Sequence, residues 1–96
     1  GKIINIHPAL LPKYGGKGMY GSHIHEAVKE NNEKETGITI HYVNEEFDKG
    51  DFIFQTTVSL LPEENKFDIA TKIQRLEQQY FPKVIAQILF NNENKI

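Results

Sequence analysis

Two polar side chains stand at the end of a short apolar run in Asn5-Ile6-His7-Pro8-Ala9-Leu10-Leu11-Pro12. Positions two apart on a strand face the same way, so Asn5 and His7 share a side. An amide donor beside an imidazole can hold a developing oxyanion, and the imidazole can exchange protons near neutral pH. Pro8 and Pro12 stiffen the exit from the strand. The same residue types also suit a plain strand end whose Asn and His satisfy nearby backbone groups. Asp48, in Phe47-Asp48-Lys49-Gly50, offers a carboxylate. Near His7 it can raise the imidazole's pKa and steer a proton through water. Alone it is an ordinary turn aspartate.

Three further groups invite a chemical reading. His23 and His25 form an H-x-H pair, and His41 lies farther on. Residues two apart on a helix point in different directions, and no HExxH spacing occurs, so a metal is disfavoured. His41, between Ile40 and Tyr42, reads as a satisfied sheet histidine. Gly15-Gly16-Lys17-Gly18 resembles an anion nest but lacks the GxxxxGK[ST] order of a phosphate loop. It suits a close approach to a phosphate or sugar, and equally a flexible loop with no ligand. Gln74 and Glu77 are three apart and share a helix face beside Ile73 and Leu76. An amide–carboxylate pair can hold a ribose diol; a solvated edge has the same pattern.

These groups need elements to position them. Lys2–Ile6 is β-branched and apolar and predicts a buried strand. The glycines from Gly15 to Gly21 predict a loop. Ser22 is placed to cap a helix from about His23 to Asn32, with Ile24, Ala27 and Val28 as its apolar stripe. Ile38–Val43 and Phe52–Leu60 predict two more strands. Their short connection makes them antiparallel neighbours, with Phe52, Phe54, Thr56 and Val58 on one face. Asn65 suits the cap of a last helix. Its stripe is Phe67, Ala70, Ile73, Leu76, Tyr80, Val84, Ile88 and Leu89, and Pro82 should kink or split it near Tyr80–Phe81. The tail 91–96 is polar and predicted to fray. The order is β-α-β-β-α, without internal repeat, and the first strand has no upstream partner.

Ninety-six residues with 39% hydrophobic and 25% charged side chains fit one small α/β domain. The net charge is −2, and Arg75 is the single arginine, so a nucleic-acid partner is disfavoured. There is no cysteine, hence no disulfide, thiolate ligand or cysteine nucleophile. No apolar run is long enough to span a membrane, and a cytoplasmic location is expected. The chain does not begin with methionine, so a processed product or a fragment is expected. A domain of this size hides only roughly 60–65% of its unfolded surface, so its core is thin and a partner is expected.

The Asn5–Pro12 segment, followed downstream by Phe47-Asp48-Lys49-Gly50, resembles the folate-dependent formyltransferases. The likeness runs through nearly the whole chain, including Thr36–Val43 and Ile73–Pro82. The Q-x-x-E pattern of Gln74 and Glu77 followed by Pro82 favours the branch acting on glycinamide ribonucleotide in purine biosynthesis. The resemblance implies the C-terminal half of a Rossmann-like formyltransferase domain over residues 1–96, with a kinked long last helix and the N-terminal phosphate-binding half absent. It implies that Asn5 and His7 stabilise the tetrahedral intermediate and that Asp48 holds a water and keeps His7 charged. It implies that Gln74 and Glu77 contact the ribonucleotide, and that Asn44, Glu45, Phe47 and Asp48 border the folate. The donor would be 10-formyltetrahydrofolate, with no metal, and a homodimer is possible. Two features depart from the family pattern: the Lys13–Ser22 loop is longer, and Asp51 stands where many members carry proline. The chain alone is expected to be inactive and to expose apolar surface. The competing readings are a formyltetrahydrofolate hydrolase, a methionyl-tRNA formyltransferase, and a non-catalytic folded module. Pro8, where the hydrolase has a second histidine, and the lack of a basic C-terminal domain argue against the first two.

Overall fold

A computed structural model describes residues 3–16, 18–43 and 51–93. The elements are β1 (Ile4–His7), α1 (Ser22–Glu30), β2 (Glu35–Tyr42), β3 (Phe52–Ser59) and α2 (Lys66–Glu93). The described residues form a three-stranded sheet in the order β1-β2-β3, antiparallel throughout. The expected β-α-β-β-α order and the antiparallel pairing of the second and third strands both hold. α1 connects two antiparallel neighbours.

The register sorts the side chains into two faces. Ile6 lies opposite Ile40, Ile40 opposite Phe54, and Ile38 opposite Thr56. This face receives the helices. Ile38 packs with Ile24 and Val28 of α1 and with Ile69 and Ile73 of α2, and Phe54 meets the Tyr80 ring at 5.2 Å between centroids. The other face carries Asn5, His7, Thr39, His41 and Gln55. A bulge opposite the Ile40–His41 step leaves Ile53 as the extra residue of β3. β2 is buried from Thr36 through His41, on both faces.

β2 starts three residues earlier than the sequence suggests. Glu35, Thr36 and Gly37 look like a polar approach, yet they pair with Ser59, Val58 and Thr57. Gly37 is there because the space is taken. A Cβ at this position would overlap the Thr56 carbonyl oxygen and lie 2.7 Å from Leu10 Cδ2. A strand interior disfavours glycine unless another chain segment comes this close.

Both helices depart in detail from expectation. Ser22 is the first residue of α1 rather than its cap; Gly21 takes the cap position at φ 55° with no side-chain hydrogen bond. α1 ends at Glu30 in a tight closure. The Asn32 amide donates to the Lys29 carbonyl and the Glu33 amide to the Val28 carbonyl, with Asn32 left-handed at φ 51°. Asn65 does cap α2. Its Oδ1 accepts from the amides of Phe67 and Asp68, while its own amide donates to Asp68 Oδ2.

The inward stripe of α2 is Ile69, Ile73, Leu76 and Tyr80. Phe67, assigned to the stripe by spacing, is 69% exposed, and Ile69 replaces it in the core at 1%. Leu89 also points outward. Pro82 does not split the helix, which runs unbroken over 28 residues, about 42 Å. Gln78, whose carbonyl loses its helical donor to Pro82, is exposed, so water can supply the bond. The polar segment from Asn91 stays helical to Glu93, and residues 94–96 lie outside the described residues.

Replacing Gly37 with Ala should cost about 3 kcal/mol or more, because backbone rather than a flexible side chain stands in the way. Urea denaturation measures this, and a loss under about 1 kcal/mol would mean the close β2–β3 approach is not rigid.

Candidate functional site

β1 ends at His7, one residue later than the sequence suggests, and the imidazole is 4% exposed. Its Nε2 lies 2.6 Å from the Tyr14 carbonyl oxygen. A carbonyl only accepts, so Nε2 carries a proton and donates it. Asn5 is exposed on the same side of β1, opposite His41 as His7 is opposite Thr39. The predicted pairing of amide and imidazole on one side of the strand is therefore present.

The segment after His7 folds back over this face of the sheet. Thr39, fully buried, holds it. Its hydroxyl donates to the Ala9 carbonyl at 2.8 Å and accepts from the Leu11 amide at 3.1 Å and from Gln55 Nε2 at 2.9 Å. One donor and two lone pairs are thus all used. Gln55 Nε2 also donates to the Leu11 carbonyl at 3.1 Å. Leu11–Pro12 is cis. His41 is buried in β2, its Nδ1 3.1 Å from the Tyr42 carbonyl oxygen, in keeping with a histidine built into the sheet.

Tyr14 closes the turn. Its hydroxyl donates to Glu33 Oε2 at 2.7 Å and accepts from Asn31 Nδ2 at 3.0 Å, and Lys13 Nζ lies 3.1 Å from the same Glu33 oxygen. The Tyr14 hydroxyl, then Lys13, hold the Glu33 carboxyl below its usual range. Burial, then the Glu33 carboxylate, pushes the Tyr14 phenol up.

Tyr14, Thr39, Gln55 and Glu33 were not singled out by sequence reasoning. The available signals were faint: one aromatic beside a glycine run, and one hydroxyl inside an apolar strand.

The other predicted residues are distributed as follows. Gln74 and Glu77 lie on α2, an element that packs on the face of the sheet away from Asn5 and His7. The fold does not gather the two pairs on one face. Gln74 is exposed; Glu77 is partly buried, and that burial raises its carboxyl pKa. Asp48, with Asn44, Glu45 and Phe47, lies outside the described residues, as does Lys17 of the glycine loop. His23 and His25 point apart, as expected. His23 is exposed against Tyr20, whereas His25 is buried and its pKa is lowered by desolvation. Among the described residues no three His, Asp or Glu side chains gather as a metal site would need. A cavity of about 180 Å³, lined by Lys29, Leu61 and Ile69 among others, shares no residue with the Asn5–Pro12 segment.

The family model described as formyl transferase matches residues 1–85. The chain belongs to the formyl transferase family. It is 40% identical over 87 residues to the chloroplastic phosphoribosylglycinamide formyltransferase of Arabidopsis thaliana, covering 91% of this chain and 30% of that one. It superimposes on the crystal structure of phosphoribosylglycinamide formyltransferase from Bacillus halodurans with a TM-score of 0.84 at 40% identity, over 97% of this chain and 45% of the other. An N-formyltransferase from Helicobacter canadensis, solved with folinic acid and dTDP-3-aminofucose, gives a TM-score of 0.82 at 27% identity, over 93% and 31%. The chain thus spans less than half the length of each. In this formyl transferase chain the Asn5–Pro12 segment, fixed at the end of β1, falls inside the matched region.

The Thr39 hydroxyl can be tested directly. Thr39→Val keeps the shape and strands the Leu11 amide and the Ala9 carbonyl, so a loss of about 2–4 kcal/mol is expected in a urea melt. A loss below about 0.5 kcal/mol would show that the loop does not depend on this clamp.

Proposed function

We propose that this chain is the C-terminal part of a formyltransferase domain that moves a formyl group from 10-formyltetrahydrofolate to the amine of glycinamide ribonucleotide in purine biosynthesis. The observation that carries the reading is the pairing of Asn5 and His7 on one side of β1, with His7 fixed by the loop that follows it. Membership of the formyl transferase family and the substrate named for two relatives supply the reaction class and the acceptor. The folinic acid bound to the Helicobacter enzyme supports a folate as donor.

In the proposed reaction the acceptor amine attacks the formyl carbon. The carbonyl oxygen becomes an oxyanion, held by the Asn5 amide and the charged His7 imidazole. The amine gives its proton to a water held by Asp48, that water passes a proton on to N10 of the folate, and the oxyanion collapses to a carbonyl as the bond from carbon to N10 breaks. Tetrahydrofolate and the formylated ribonucleotide leave. Gln74 and Glu77 are assigned to the ribonucleotide, and Asn44, Glu45 and Phe47 to the folate edge. The acceptor must then extend from the Asn5–His7 side of the sheet to α2. Among the described residues no helix is long and apolar enough to cross a membrane.

Site variants of the full-length enzyme test the assignment. His7→Ala and Asp48→Asn should each lower kcat by about 10²–10⁴, assayed at a temperature where circular dichroism shows both variants folded. Transfer within threefold of the parent in either variant would remove that residue from the mechanism. The 96 residues alone should show no turnover, because most of the length of the relatives is missing from them. Full activity from this chain would contradict the proposal that the remaining half carries substrate contacts.

A further inference from the structure

We propose that Tyr14 is a positioning residue for His7, held in place by Glu33 from beyond the far end of α1. The inference rests on the proposed catalytic role of His7 and goes beyond it by assigning what aims the ring.

The carbonyl that receives the His7 Nε2–H belongs to Tyr14, at 2.6 Å. That carbonyl lies in a segment with little stiffness of its own downstream. Gly15 and Gly16 follow at once, Gly16 at φ 98°, and glycine leaves the backbone more freedom than any other residue. Two long backbone bonds, from the Tyr14 amide to the Leu10 carbonyl and from the Gly15 amide to the Pro12 carbonyl, both 3.3 Å, tie the turn to itself, and the Tyr14 side chain ties it to the core. The Tyr14 ring is 5% exposed and lies among Ile24, Val28 and Ile38.

Packing alone would be met by phenylalanine. A hydroxyl taken into this environment is costly unless it is paired. It is paired twice, with Glu33 Oε2 and Asn31 Nδ2. Both partners follow the last turn of α1, in the closure that the left-handed Asn32 produces. Lys13 holds the Glu33 carboxylate from the other side. A continuous path thus runs from Glu33 through the phenol and backbone of Tyr14 to the imidazole. A reacting group misaimed by a fraction of an ångström loses rate while substrate binding is little changed, which separates this role from a merely structural one.

The test uses the full-length enzyme and two readouts, steady-state kinetics and hydrogen exchange of the His7 Nε2–H by NMR. In Tyr14→Phe and in Glu33→Ala the imidazole proton should exchange at least about tenfold faster. In the same variants kcat should fall about tenfold with KM for both substrates within about twofold. Glu33→Gln keeps an oxygen acceptor and should restore most of both. A lowered melting temperature with exchange and kcat within twofold of the parent would overturn the inference and leave Tyr14 as a structural tether. A parent enzyme that transfers no formyl group would defeat the functional reading, and the exchange rates would still decide whether Tyr14 and Glu33 hold the ring.

Discussion

The hydroxyl of Thr39 sits in the most buried strand of the molecule, where no water reaches it. It has to be satisfied by protein, and it is satisfied by the chain that leaves His7. This is the constraint on which the site depends. One face of β2 is sealed by helices through Ile38 and Ile40, a matter of apolar area and little directionality. Leu10 and Leu11 lie over the other face, and there hydrogen bonds set the geometry. Thr39 and Gln55 fix the loop where it crosses the sheet, Gly37 lets Leu10 lie close, and Tyr14 brings the loop back to the imidazole. Ordering such a segment costs on the order of 1–2 kcal/mol per residue, so several directed bonds are needed to hold it.

The helices answer a different need. α1 and α2 close the core with few large residues, and charged side chains fasten their ends. Lys66 reaches Glu26 across the two helices at 2.5 Å, and Lys72 bridges the Ser59 carbonyl and Glu64. Ion pairs this exposed contribute little each, so the weight rests on Ile24, Val28, Ile38, Ile69 and Ile73. α2 outruns this core. Beyond Tyr80 it carries Leu89 and Phe90 to the surface, and Ile3 is exposed beside β1.

Local sequence carried much of the fold. Short runs rich in β-branched and apolar residues marked the strands, Asn65 marked the start of α2, and a two-residue spacing placed Asn5 and His7 together. What stayed hidden depends on contacts distant in sequence. Gly37 reads as a break until Thr56 and Leu10 are seen beside it. Phe67 fits the helical period as well as Ile69 does, and only the position of the sheet decides between them. Ser22 has the chemistry of a cap, but the left-handed Gly21 takes the position. The clamp on the His7 loop joins residues up to forty-four positions apart, Leu11 to Gln55, which no local pattern announces. The roles proposed for Asp48, Gln74 and Glu77 rest on resemblance to a family; spacing offered Gln74 and Glu77 as a ligand pair and as a solvated edge alike.

The central claim is that the face carrying Asn5 and His7 serves transfer of a formyl group to an amine. The most direct measurement is tetrahydrofolate release from 10-formyltetrahydrofolate by the full-length enzyme, with and without glycinamide ribonucleotide. Release only in the presence of the ribonucleotide, matched mole for mole by the formylated amine, is the predicted result. Equal release without any acceptor would contradict the claim and make water the acceptor.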